Sequence, residues 1–216
     1  MAAGMAKEVR AVLLDGMGTL VHLIPPAPAL AQELGVDLDT AERAFRAEVG
    51  YYLAHQLEGS DAAGLADLRR RCADVLADAA GVEREGALDA LMRSLQFEAF
   101  DDAAPVLREL RARGLRLVVV SNWDSSLPEV LERVGLRELV DEVVVSAVVG
   151  AAKPDRAIFE AALAAAGCEA PEAVHVGDSA EADVGGAHAA GIQPLLLARE
   201  GGGDLDSLFG LVPFLS

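Results

Sequence analysis

The chain has 216 residues and a formal net charge of -17 at pH 7, with an isoelectric point near 4.5 and a mean hydropathy of +0.29. That length holds one core domain, or a core with a small second lobe, and so acidic a balance repels nucleic acid and anionic lipid. No apolar stretch is long enough to span a bilayer, the start MAAGMAKEVR lacks a signal-peptide pattern, and Cys72 and Cys168 have no metal-ligand spacing; a cytoplasmic protein with reduced thiols is expected.

Residues 12–14 (VLL) form a short apolar run that ends at Asp15. A run without polar alternation is expected of a strand buried on both faces. From 25 to 100 there are helix signals and no strand signal. Residues 39–52 carry Ala41, Ala44, Phe45, Glu48, Val49 and Tyr52 at helical spacing, and 65–80 and 85–97 behave similarly. Pro25, Pro26 and Pro28 make a stiff entrance to this all-helical insert, and Asp101-Asp102 an exit. Beyond it, a helix over 103–113 stops at Gly114 and a strand over 117–120 runs into Ser121-Asn122. A helix over 126–134 stops before Gly135, and a strand follows over 143–145. A helix over 155–166 ends before Gly167, a strand over 174–176 runs into Gly177-Asp178, and a helix over 181–190 ends before Gly191. Glycine just past the last periodic residue is a common helix stop. A strand over 195–197 precedes the glycine loop at 201–203 and a short apolar tail. Strands alternating with helices predict an α/β fold. Its Rossmann-like parallel-sheet core would comprise residues 1–24 and 101–216, with a helical lobe over 25–100 inserted after the first strand.

Open α/β sheets bind ligands at the carboxyl ends of their strands. Four polar clusters fall there: Asp15-Gly16-Met17-Gly18-Thr19, Ser121-Asn122, Lys153-Pro154, and Gly177-Asp178-Ser179 with Asp183. Lys153 stands out because Lys7 is the only other lysine. A carboxylate on a glycine-rich turn, a hydroxyl, an ammonium and further carboxylates are what a phosphate held through a divalent cation needs. Mg²⁺ takes carboxylate, water and phosphate oxygens, while lysine, hydroxyl and backbone N–H groups neutralise the remaining charge. Taken singly, Asp15, Ser121 and Asp178 could each be a helix N-cap after a strand. His175 and His188 read as packed histidines. Trp123 and Asp124 read equally as packing residues or substrate contacts.

In order and wording these clusters resemble the four motifs of the haloacid dehalogenase-like superfamily: AVLLDGMGTL, VVVSN, the lysine of GAAKPD, and VHVGDSAEAD. The helical insert sits where that family keeps a C1-type cap, so the resemblance covers essentially the whole chain. It implies a hydrolase in which Asp15 is the nucleophile, forming a covalent aspartyl intermediate, and also a metal ligand. The backbone carbonyl of Met17 and the carboxylate of Asp178 would complete a Mg²⁺ site. Ser121 and Lys153 would hold the transferred group, with the backbone amides of Gly16 and Asn122 beside it. Asp183 would bind the metal through water or orient Lys153. The implied partner is a small phosphorylated molecule.

One position departs from the pattern. Where phosphatases of the family carry an aspartate acting as general acid and base, this chain has Met17, which can do neither. A phosphatase reading leads, using a good leaving group or an acid borrowed from His22, His55 or Glu58. A 2-haloacid dehalogenase-type hydrolase needs no acid but works without metal. The third reading is a catalytically decayed protein that binds a phosphate ligand or a partner. A Schiff-base phosphonatase is excluded, because no lysine lies between 25 and 100.

Overall fold

The computed structural model describes residues 8–215; the first seven residues of the predicted core lie outside the described residues. Strands β1 (Ala11–Leu14), β2 (Val21–Leu23), β3 (Phe97–Ala99), β4 (Arg116–Ser121), β5 (Glu142–Val145), β6 (Ala173–Gly177) and β7 (Gln193–Leu196) form two sheets. The larger has the order β5-β4-β1-β6-β7, and every neighbouring pair is parallel. The helices are α1 (Ala27–Leu34), α2 (Leu38–His55), α3 (Ala62–Ala80), α4 (Ala87–Ser94), α5 (Ala103–Ala112), α6 (Leu127–Arg133), α7 (Ser146–Val149), α8 (Arg156–Ala166), α9 (Gly186–Ala189) and α10 (Leu211–Phe214). The α/β, Rossmann-like core expected from the sequence is present.

β1 lies mid-sheet and all four of its residues are buried, which is why AVLL shows no polar alternation. Alternate side chains serve opposite faces. Val12 and Leu14 join Leu117, Val119, Val174 and Val176 in one cluster with Val106 and Leu107 of α5 and Val130 of α6. Ala11, Leu13, Val118 and Val120 join Ile158 and Phe159 of α8 on the other face. Fully burying a valine or leucine contributes roughly 1.5–3 kcal/mol, so these two layers hold the carboxyl ends of β1, β4 and β6 in register.

Helices α1–α4 occupy the predicted insert and bury a third cluster around Leu30, Ala41, Ala44, Leu68, Cys72, Leu76 and Leu91. Asp37 and Asp61 cap α2 and α3, accepting from the N–H groups of Thr40 and Gly64. Three local expectations change. Pro26 is the N-cap of α1 and Pro28 lies in its first turn, so the proline stretch begins a helix rather than a stiff connector. The predicted helix over 85–97 ends at Ser94, and Phe97–Ala99 instead pairs antiparallel with Val21–Leu23. Three-residue strands at opposite ends of an insert leave no period to read. The predicted helix over 181–190 opens with a wider π-turn over Ala180–Gly185 before α9.

Candidate functional site

β1 delivers Asp15 to the carboxyl edge of the sheet, where its N–H donates to Val176 O at 2.9 Å. β4 ends in Ser121, whose Oγ donates to Asp15 Oδ1 at 3.0 Å. A Cβ on Gly16 would stand 3.0 Å from that Oγ, so the bare glycine gives the hydroxyl room to reach Asp15. Lys153 Nζ donates to the same Asp15 Oδ1 at 2.5 Å and to Asp183 Oδ1 at 2.6 Å. Both contacts on Asp15 fall on Oδ1 and neither on Oδ2. Asn122 clasps the lysine's backbone from two sides: its Nδ2 donates to Lys153 O at 3.0 Å, and its Oδ1 accepts from Lys153 N at 2.6 Å.

The π-turn after β6 brings Asp183 back beneath the strand end. A Cβ on Gly177 would overlap its carboxyl carbon at 2.1 Å. Asp183 Oδ2 accepts from Ser179 N at 3.0 Å, and Oδ1 accepts from His175 Nε2 at 2.9 Å as well as from Lys153. A carboxylate only accepts, so Nε2 carries the hydrogen. His175 Nδ1 is buried without a partner, and burial also pushes the imidazole's pKa down, so the ring is neutral. Its ring lies perpendicular to that of Phe159, with 5.2 Å between centroids.

Asp178 is exposed at the mouth, and one carboxylate oxygen from each of Asp15, Asp178 and Asp183 lies within 4.8 Å of the others. Gly18 adopts φ +77° and a Cβ there would fall 2.0 Å from Asp178 Oδ2. Only glycine lets the turn after β1 press against that carboxylate. Burial raises the Asp15 carboxyl against the pull of Lys153, and raises Asp178 with help from Asp183. Burial works against the Lys153 ammonium too, yet Asp15 and Asp183 outweigh it and hold its pKa above the ordinary lysine value. Asp183 also overcomes its burial, through His175 and Lys153, and stays well below the usual carboxylate range. Three carboxylates thus face one ammonium, an imbalance that a divalent cation would relieve. The donor set, all oxygen, suits Mg²⁺.

A family model described as haloacid dehalogenase-like hydrolase matches residues 9–191. The chain belongs to that family. Among curated relatives, the haloacid dehalogenase-like hydrolase domain-containing protein 3 of Bos taurus is 44% identical over 47% of this chain and 41% of its own length. A ribulose-1,5-bisphosphate 5-phosphatase of Halopiger xanaduensis is 38% identical over 44% of this chain and 40% of its own. Both matches therefore take in less than half of the relative. Among solved structures, a HAD phosphatase from Thermococcus onnurineus is 26% identical with TM-score 0.67, covering 96% of this chain and 98% of that one. An L-2-haloacid dehalogenase from Xanthobacter autotrophicus shares the fold at TM-score 0.67 and 22% identity, over 88% and 78% of the two chains.

All four family motifs converge. Asp15, Ser121, Lys153 and Asp183 form one bonded chain with Asp178 at its edge, and none of Asp15, Ser121 or Asp178 is a helix N-cap; Asp155 and Ser179 cap the neighbouring helices instead. His175 is packed as expected, yet it also holds Asp183, which its strand position did not reveal. His188 is exposed on α9, against the expectation of packing. Trp123 is buried against Phe97 at 5.2 Å, and Asp124 accepts from the Tyr52 hydroxyl at 3.1 Å and from Ser126 N at 2.8 Å. The suggested substitute acids are engaged outside the cluster: His55 with Tyr51, Glu58 with Arg71, and His22 with Glu98 and Phe100.

Proposed function

We propose that the protein is a Mg²⁺-dependent phosphatase of small phosphorylated metabolites, working in the cytoplasm through an aspartyl-phosphate on Asp15. The observation that carries this reading is the excess of carboxylate over ammonium at one crevice, with Asp15 Oδ1 gripped by Ser121 and Lys153. Metal-free carbon–halogen hydrolysis has no use for that excess.

Asp15, the Met17 carbonyl and Asp178 would hold the ion, which would supply charge neutralisation on the phosphoryl oxygens. Asp15 attacks phosphorus, the P–O bond to the leaving group breaks with that group departing as an anion, and water later releases phosphate from Asp15. Ser121, Lys153 and the N–H groups of Gly16 and Asn122 bind the phosphoryl oxygens throughout. Asp183, with both oxygens bonded to the protein, serves to orient Lys153 rather than to reach the ion directly. Asn122 sets the height of the lysine backbone. Helices α1–α4 act as a cap that excludes water and selects the substrate. Because Met17 cannot protonate the leaving group, about 10²–10⁴ in rate is lost unless that group departs readily as an anion. Acyl and aryl phosphates are therefore the favoured substrate class. Relatives named as phosphatases of small phosphorylated molecules support the phosphatase reading, though not the acyl or aryl preference, which rests on Met17.

The test is hydrolysis of acetyl phosphate, p-nitrophenyl phosphate and alkyl phosphates with Mg²⁺ or a chelator, beside Asp15→Asn. Turnover that needs Mg²⁺, vanishes in Asp15→Asn and falls steeply from acetyl to alkyl phosphate is expected. Turnover of 2-haloacids that ignores the chelator would overturn it in favour of a dehalogenase. No turnover of any of these would leave a binding protein.

A further inference from the structure

Arg199 lies just past β7, outside every motif, yet its guanidinium joins two separate stretches of chain to its own. Nη1 donates to Asp102 Oδ2 at 2.9 Å, and Nη2 donates to Asp102 Oδ1 at 3.1 Å and to Thr19 O at 2.8 Å. Nε points to Gly18 O at 3.4 Å, and the guanidinium carbon sits 3.5 Å from the centroid of the Phe100 ring. Asp102 is buried and also accepts from Leu208 N at 2.8 Å, which ties the assembly to the C-terminal segment. Phe100 N donates to Leu20 O at 3.1 Å, so the two passing chains are bonded to each other at the same level.

Residues 18–20 carry the chain out of the turn after β1 toward α1, and 100–102 bring it back from α4. Every covalent path between the sheet and helices α1–α4 therefore passes this one side chain. A planar fork of donors over an aromatic face grips a carboxylate and two carbonyls at once, which a lysine ammonium cannot reproduce. Gly18, whose carbonyl is one of the two that accept from Arg199, is also the residue pressed against Asp178.

We propose that Arg199 is a positioning residue. It locks the Gly18–Thr19 turn and the stem of the helical unit to the core. The pivot of any movement of α1–α4 then lies beyond the stem, and the spacing of Asp15, the Met17 carbonyl and Asp178 survives that movement. The kinetic part of this proposal rests on the phosphatase reading; the structural part does not.

The experiment compares wild type, Arg199→Lys and Arg199→Gln by amide hydrogen exchange, Mg²⁺ calorimetry and acetyl phosphate turnover. In Arg199→Gln the amides of Leu20, Val21 and Phe100 should exchange at least about tenfold faster while those of β4 keep the wild-type rate. Mg²⁺ affinity should fall about tenfold, the usual effect of removing a partner behind a ligand shell. Turnover should fall through kcat once Mg²⁺ is saturating, with KM for acetyl phosphate unchanged, and Arg199→Lys should lie between the two. Stem amides exchanging at the wild-type rate, or stem and β4 accelerating alike in both variants, would overturn the clamp. A loosened stem with unchanged Mg²⁺ affinity would overturn its role at the site. If the wild type neither binds Mg²⁺ nor turns over acetyl phosphate, the phosphatase reading fails, and exchange alone still decides the clamp.

Discussion

Met17 is the residue on which the proposed chemistry turns. Its side chain is 36% exposed, so a replacement there meets no core packing. It follows Asp15 by two positions on a turn held by Leu20 and Val21 N–H bonds to Gly16 O, at 2.8 and 3.0 Å. Met17→Asp should leave this turn intact and restore an acid to the leaving-group side. The expected result is a gain of about 10²-fold or more on alkyl phosphates with little change on acetyl phosphate, since general acid help matters only for a poor leaving group. Equal gains on both classes, read from kcat/KM, would contradict the missing-acid account. At this scale the sequence was informative where a side chain sits at a strand end. Asp15, Ser121, Lys153, Asp178 and Asp183 all meet because parallel strands deliver their carboxyl ends to one edge. Arg199 and the Tyr52–Asp124 pair carried no such signal, because their partners come from remote stretches of chain, and His175 meets Asp183 only through the π-turn that follows its strand.

Among the helices, α2 and α3 contain a group in the wrong place for charge. Glu48 is buried on α2 beside Cys72 of α3, and burial raises its carboxyl from 4.5 to about 7, although the Cys72 thiol, itself raised by burial to about 12, eases the shift. A carboxyl whose folded pKa is raised contributes its stability below pH 4.5 and loses it as pH rises through 7. The loss amounts to roughly 2–3 kcal/mol. Thermal melts of the wild type should therefore fall between pH 5 and pH 8.5 by several degrees more than those of Glu48→Gln, which keeps the shape without the proton. Parallel curves for the two proteins would show that Glu48 finds a solvated or paired state. Helical spacing placed Glu48 on the inner face of its helix correctly. It could not show that the neighbour would be a thiol rather than a cation. The β2–β3 ribbon was hidden for a related reason: its stability comes from pairing across the insert, and neither three-residue strand has a pattern of its own.

At the scale of the molecule, and among the described residues, α1–α4 and the core touch through few polar links besides the stem. The Tyr52 hydroxyl donates to Asp124 Oδ2 at 3.1 Å, and Ser125 N donates to Gly59 O at 2.8 Å. Burial keeps the Tyr52 phenol neutral and able to donate. A Cβ on Gly59 would lie 2.8 Å from Asp124 Cβ, so the two parts meet at close range beside Trp123. Asp124 N also donates to the Tyr52 hydroxyl at 3.3 Å, so opening the helical unit must break three bonds, each worth about 0.5–1.5 kcal/mol. Tyr52→Phe removes the two that involve its hydroxyl and should speed exchange of the Ser125 amide about fivefold without altering β1 or β6. An unchanged Ser125 rate would mean that the ribbon and stem alone hold the unit in place. The alternation of strands and helices made the core and the helical insert legible from composition and period, while this docking contact depends on which side chains meet after folding.

Lys153 is the sole lysine among the described residues, and it is only 6% exposed. Amine-selective acylating reagents, which ordinarily report on a protein's outer surface, would find no exposed lysine among the described residues. Modification at position 153 requires the crevice to open and the lysine to release both carboxylates. The rate at which that one amine is acylated is thus a built-in clock for the opening of the site.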